Sequence, residues 1–380
     1  MEFATKCVHA IGASDATGTI TPAIYISSTF AHPRLGETTG FAYTRESNPT
    51  RARLETLLAT LENGVDALAF SSGMAAVDAV MHLFAPGDHI ITGNDLYGGS
   101  FRIFRSVYEQ YGLKFTAVHT SNLNEIEAAI KENTKAIYLE TPTNPTMEIS
   151  DLRAISALAK KYKLLVIVDN TFLTPYFQQP LKLGADIVIH SGTKYLCGHN
   201  DVLCGFTVAK EQGIADRLRL IYKTTGACLG ALDAWLVIRG IKTLPLRMEQ
   251  HQRNAQALAA YLLTEPKVKY VLYPGLENHP GYEVNKAQTT GFGGMISFAV
   301  DSSRTAELLL EKIKLIKFAE SLGGTESLLT YPIRQTHADL TLEECADKGI
   351  TDCLLRLSIG IEATEDLIAD LKHAFASIDA

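Results

Sequence analysis

The chain has 380 residues, of which 46% are hydrophobic and 20% charged, with a single Trp. That length exceeds one ordinary compact core, so two packed domains sharing a cleft are expected, and the composition excludes disorder, collagen and coiled coil. A net charge of -7, without a run of five like charges, leaves no electrostatic footprint for nucleic acid or an anionic membrane and favours a small-molecule partner.

The opening stretch MEFATKCVHAIGAS lacks the apolar core of a signal peptide. No later stretch of about 18 apolar residues could span a bilayer, so a cytoplasmic protein is expected. Residues 1–50 are rich in Thr, Gly and Pro and carry no core-forming periodicity, which predicts an arm extended over another surface. From residue 51 to 240 apolar runs alternate with amphipathic stretches. The runs are ALAF (67–70), HIIT (89–92), KFTAV (114–118), AIYLE (136–140), LLVIVD (164–169), DIVIH (186–190) and GFTVA (205–209). This rhythm predicts an α/β domain with a large, mostly parallel sheet. The segments Leu123–Lys131 and Leu152–Tyr162 read as crossover helices capped by Asn122 and Asp151.

Around 230–265 the alternation stops in a long helical passage interrupted at Gly240 and Pro245, which marks the boundary. Residues 241–380 then read as a smaller C-terminal α+β domain, with GGMISFAV (293–300), an amphipathic Thr305–Ile313, a Gly-Gly turn at 323–324, LLRLSIG (354–360) and a last helix over Glu365–Ile378. The six cysteines are scattered without a CxxC pair, as suits reduced thiols. Cys197, His199 and Cys204 are possible zinc ligands, but no fourth accompanies them and small buried thiols explain them more simply, so no metal is expected.

In open α/β sheets the ligand crevice lies at the carboxyl ends of the strands. After ALAF comes Ser71-Ser72-Gly73-Met74 at the start of an apolar helix, where free backbone N–H groups can hold a phosphate, or where the turn is a plain connection. After LLVIV comes Asp169, a carboxylate costly to bury without a cation, either a protein Arg or Lys or a pyridinium nitrogen. After DIVIH comes Ser191-Gly192-Thr193-Lys194-Tyr195, whose Lys can serve as a Schiff-base nucleophile or can snorkel to solvent. The glycine fingerprints of nucleotide-binding folds are missing. Phosphate turn, strand-end Asp and strand-end Lys are together the three handles that pyridoxal 5'-phosphate demands.

These residues, with YTRESNPTR (43–51), SSGMAA (71–76), DLYGGSF (95–101), ETPTNP (140–145), VDNTF (168–172), HSGTKYLCGH (190–199), ESLGGTES (320–327) and LRLSIGIE (355–362), make the chain resemble the Cys/Met-metabolism PLP enzymes from about residue 5 to 378. The resemblance implies the aspartate-aminotransferase-like PLP-transferase fold. It implies covalent cofactor attachment through Lys194, which also serves as general base, and pairing of Asp169 with the pyridinium nitrogen. The phosphate would be held by Gly73 and Met74, by the Ser191 and Thr193 hydroxyls, and by Tyr43 and Arg45 from a neighbouring subunit of a homotetramer. Tyr97 would stack on the ring and assist proton transfer, and Arg356 with Ser321 and Asn144 would hold the substrate α-carboxylate. For Arg356 a surface ion pair is the bland alternative, which its apolar flanks disfavour. Gly99 stands where methionine γ-lyases carry a Cys. Glu320 is typical of members that handle cystathionine or cysteine, while Ala42 replaces a second acid found in many cystathionine enzymes. The expected activity is therefore a cystathionine lyase, γ before β, with cystathionine γ-synthase or O-acyl-homoserine sulfhydrylase as the alternative. A non-catalytic protein that keeps the fold is opposed by the presence of Lys194, Asp169 and Arg356.

Overall fold

The computed structural model describes residues 1–11, 17–338 and 340–378. Residues 12–16 of the expected arm, and 339, 379 and 380 of the expected C-terminal domain, lie outside the described residues. Each of the seven apolar runs forms a strand: β1 Asp66–Phe70, β2 His89–Gly93, β3 Lys114–Val118, β4 Thr134–Glu140, β5 Leu165–Asp169, β6 Ile187–Ser191 and β7 Gly205–Ala209. They form one sheet in the order β1-β7-β6-β5-β4-β2-β3, in which β7 alone runs antiparallel to its neighbours. Strands such as β4 and β6 are apolar on both faces because helices cover both, so no alternation is visible in their sequence.

The crossover helices start where local chemistry allows. Asp151 accepts a hydrogen bond from Ala154 N–H at the head of the helix Leu152–Tyr162, and Asn122 accepts from Asn124 N–H at the head of Leu123–Ala128. Each satisfies a backbone donor that the first turn cannot pair internally. The long passage divides into helices Ala231–Ile241 and Leu244–Leu262. The break therefore falls at residues 242 and 243, and Gly240 is helical. Glycine is needed there for proximity, since a Cβ would lie 2.2 Å from Cys197 O.

The second sheet holds β8 Val268–Leu272, β9 Met295–Val300, β10 Lys317–Phe318, β11 Leu328–Thr330 and β12 Leu354–Ser358, in the order β10-β11-β12-β9-β8. Its core, with Phe298, Leu355 and Leu371 fully buried, packs under the helices Leu244–Leu262, Ser303–Lys312 and Thr364–Ala376. β12 is the central strand and carries Arg356 between Thr330 of β11 and Ser297 of β9. Within residues 1–50, Phe3–His9 is a helix whose Cys7 enters the core and whose Phe3 meets the Tyr176 ring edge-on at 5.4 Å. A seven-residue helix is too short to announce itself by periodicity.

Candidate active site

Four strand ends converge on one cavity of about 370 Å³, within the range of small-molecule sites. Ser72 and Gly73 follow β1, Glu140 ends β4, Asp169 ends β5 and Ser191 ends β6. Ser72 caps the helix Gly73–Met81 by accepting from Ala75 N–H, which leaves the Gly73 and Met74 N–H groups at its first turn without a partner among the described residues. Close approach is built in: a Cβ on Gly205 of β7 would meet Ser72 O at 2.2 Å, and one on Gly73 would lie 3.1 Å from Ser191 Oγ. An N-terminal turn and a serine hydroxyl thus face the same space, as an anion requires. Thr193 also lines the cavity, but its hydroxyl donates to Cys204 O at 3.2 Å and accepts from Cys204 N–H at 3.0 Å, so it braces the turn.

Asp169 Oδ1 accepts from the Thr171 N–H at 3.0 Å and the Thr171 hydroxyl at 2.5 Å. Burial raises this carboxyl, while Thr171, His190 and Lys194 act to lower it. Among the described residues no Arg or Lys forms a salt bridge with Asp169, and its Oδ2 has no partner. The second oxygen is free for a cation brought into the cavity. Lys194 Nζ donates to Ser321 Oγ at 3.2 Å. Burial, then the Arg356 guanidinium, lower its amine to about 8 against the pull of Asp169. A sizeable fraction is therefore the neutral nucleophile near neutral pH.

Arg356 is 1% exposed and has no carboxylate partner among the described residues. Its Nη1 donates to Asn144 Oδ1 at 2.7 Å, its Nη2 to Ser321 O and Thr330 Oγ1 at 3.1 Å each, and its Nε is buried without a partner. Burial lowers it to about 10, against the pull of Tyr195, Tyr97 and Glu320. A guanidinium held by neutral oxygens with an unused donor is a receptor for a carboxylate. Ser321, whose carbonyl helps hold it, adopts a left-handed φ of +81°, strain of the kind that clusters at ligand clamps. Glu320 is solvent-exposed and lines the cavity beside Ser321.

Tyr97, 42% exposed, lines the cavity and its N–H donates to Glu140 Oε1 at 2.8 Å. A Cβ on Gly99 would lie 2.4 Å from Tyr97 Cε1, so glycine there lets the ring lie against the first turn of helix Gly98–Ile103. Tyr43 and Arg45 do not line this cavity; both are exposed, with the Arg45 guanidinium 5.4 Å from the Tyr43 ring centroid. Free Oδ2, free helix N–H groups, a lysine with a lowered pKa and an orphan guanidinium Nε together fit pyridoxal phosphate carrying an amino acid.

Comparison with known proteins agrees with that cofactor. The family described as Cys/Met metabolism PLP-dependent enzyme matches residues 4–376. The chain belongs to that family. Cystathionine gamma-lyase of Bacillus subtilis (strain 168) is 48% identical over all of both chains. Cystathionine beta-lyase of Lactococcus lactis subsp. cremoris (strain MG1363) is 48% identical, covering 97% of this chain and 98% of its own. Cystathionine gamma-synthase of Haemophilus influenzae is 50% identical, covering 95% and 94%. The solved structure of cystathionine gamma-lyase from Lactobacillus plantarum complexed with L-serine superposes with a TM-score of 0.98 at 45% identity, covering all of both chains. As a family member this protein is a PLP-dependent enzyme of sulfur amino-acid metabolism with the α/β PLP fold.

Two residues of the site escape the sequence reading. Thr171 orients Asp169, and Glu140 meets Tyr97. The signal for Glu140 was present, because it ends AIYLE as Asp169 ends LLVIV, and a carboxylate closing an apolar strand raises the same question in both places.

Proposed function

We propose that this enzyme cleaves the C–S bond of cystathionine or a related sulfur amino acid, with γ-elimination its main reaction and β-elimination second. The observation that carries this reading is the pairing in one cavity of an orphan buried cation, Arg356, with an exposed acid, Glu320. The first suits the α-carboxylate of an amino-acid substrate and the second suits a distal ammonium group. Pyridoxal phosphate, when bound, supplies a carbonyl that condenses with amines and a ring that withdraws electrons from Cα. Lys194 Nζ would hold the cofactor and serve as the base for the Cα proton. The Asp169 carboxylate keeps the ring nitrogen protonated. Arg356 Nε and its fork orient the α-carboxylate, and Tyr97 covers the site and assists proton transfer. Gly73, Met74, Ser191 and Thr193 surround the phosphate, Thr193 by fixing its turn.

Residues 51–240 form the cofactor unit, residues 241–380 the unit that brings Arg356, and residues 1–50 an arm that carries Tyr43 and Arg45 to a neighbouring copy in a homotetramer. Support comes from the outward placement of Tyr43 and Arg45, which leaves their own cavity without them. A cytoplasmic site of action is supported by six unpaired cysteines, which suit a reducing compartment. Among the described residues no helix is long and apolar enough to cross a membrane.

Ala42, exposed beside Tyr43, favours a second reading, γ-replacement on an O-acyl-homoserine, because it removes an acid that would meet a distal ammonium. Incubation with L-cystathionine separates the readings. Cysteine with 2-oxobutyrate is the expected product pair. Homocysteine with pyruvate transfers the assignment to β-elimination, and absence of either, with turnover of O-acyl-homoserine and cysteine, transfers it to γ-replacement.

A further inference from the structure

Glu140 and Asp169 are direct neighbours across the parallel strands β4 and β5, so both carboxyls leave the sheet on the same face at the same end. Glu140 is 6% exposed. Two anions at that separation, out of bulk water, cannot both ionise cheaply. The partners decide which keeps the proton. Asp169 accepts two hydrogen bonds from Thr171 and has the His190 and Lys194 side chains near enough to act against its burial. Glu140 accepts one, from Tyr97 N–H. Its titratable neighbours are Asp169 on β5, Asp95 on the turn after β2 and Tyr138 on its own strand, and although Lys194 and Arg356 line the same cavity, no cation among the described residues forms a salt bridge with it. Asp95 spends Oδ2 on Thr146 and brings no compensating charge. Burial first, then Asp169, push the Glu140 carboxyl well above the usual carboxylate range, in agreement with the geometry.

Given the roles proposed above for Asp169 and Tyr97, we propose that Glu140 is a positioning residue that works as a neutral acid: its Oε1 fixes the backbone of Tyr97, and its lack of charge leaves Asp169 as the one anion available to the cofactor ring nitrogen. The pair would thus divide two tasks between two carboxyls of the same strand-end row. Asp169 supplies charge, and Glu140 supplies shape and an acceptor.

The test uses Glu140→Gln, Glu140→Ala and Asp169→Asn, with two readouts other than turnover: the affinity of apoenzyme for pyridoxal phosphate, and the pH at which the visible absorption of the bound cofactor changes. Gln is neutral, matches the acid in shape and still accepts from Tyr97, so both readouts should stay within about twofold and about 0.3 pH unit of the parent. Ala strands the Tyr97 N–H and should weaken cofactor affinity by about tenfold. If Glu140 is instead an anion, Gln lowers the spectral transition by roughly one to two units, the size of a lost neighbouring charge, and the proposal falls. It falls equally if Ala binds cofactor like the parent. Asp169→Asn must itself weaken binding and lower the transition. If it does neither, the role of Asp169 is wrong and the division of tasks goes with it, whereas a shift in both Asn and Gln variants leaves Asp169 standing and removes Glu140 alone. Gln preserves the side-chain volume, so its result stands even where Ala does not fold.

Discussion

Lys194 is set by opposing influences: burial and the Arg356 cation favour the neutral amine, while Asp169 favours the charged one, and the balance lies near 8. Only the neutral amine attacks an aldehyde, and its fraction grows as pH rises through that value. Covalent capture of pyridoxal phosphate by apoenzyme, followed by absorbance, should therefore accelerate with pH to a plateau with a midpoint near 8. A midpoint at the ordinary lysine value, about 10.4, would mean that the amine is not buried as described. Lys194→Ala should take no borohydride-stable label from the cofactor and lose roughly a thousandfold or more in activity, since anchor and base vanish together. Asp169 and Arg356 were legible because each is a charge among apolar neighbours in a strand or at its end, where a soluble core needs a reason for it, and Lys194 because it follows a buried strand in a short turn of hydroxyls. Thr171 was not, because a threonine two residues past a strand is ordinary in sequence, and only its hydroxyl contact with Asp169 gives it meaning. The same limit applies to Thr193, whose hydroxyl the family resemblance assigns to a phosphate but which is shared with the Cys204 backbone in space.

At the scale of elements, the seven strands of the large sheet announce themselves as apolar runs, and their ends as the places for chemistry. What the runs do not carry is order. Nothing in GFTVA (205–209) says that it inserts antiparallel between β1 and β6, yet that insertion brings the turn after β1 within reach of Ser191. Short strands are equally silent: β10 has two residues, both exposed, and β11 has three, too few for a period. The helix break was misplaced because glycine at 240 reads as a helix breaker, whereas it is there to admit Cys197 O. Close approach at Gly73 makes a sharper claim. In Gly73→Ala the new Cβ would lie 3.0 Å from Ser191 Cβ, so the helix head and the turn after β6 must separate by a few tenths of an ångström. Pyridoxal phosphate affinity should fall by about tenfold, while the gain in helix propensity keeps the apoenzyme melting temperature within about 3 °C of the parent. Unchanged affinity would place the phosphate elsewhere.

On the scale of the whole molecule, the segment before the Pro49–Glu62 helix leaves apolar side chains in solvent, with Ile20 95%, Ile26 84% and Leu35 104% exposed. Arg51, itself fully buried, ties the end of this segment to the body through Leu229 O and Thr44 O, so Tyr43 and Arg45 leave the surface in a defined place. Exposed apolar chain on a rigid root suits burial against another copy. The arm's lack of periodicity was legible, while a destination on a second chain leaves no signature in the pattern of the first and was implied by the family resemblance alone. If Arg45 serves the neighbour's cavity, two defects on different chains can be separated. Lys194→Ala and Arg45→Ala should each be strongly impaired alone. When they are mixed, unfolded and refolded together, a hybrid pair contains one cavity with an intact Lys194 and an intact Arg45 from the other chain. Random pairing makes half the dimers hybrid with one of two sites whole, so activity should recover to about a quarter of the parent value. Recovery no greater than the sum of the two variants would confine Arg45 to its own chain and leave the outward-facing arm without a catalytic purpose.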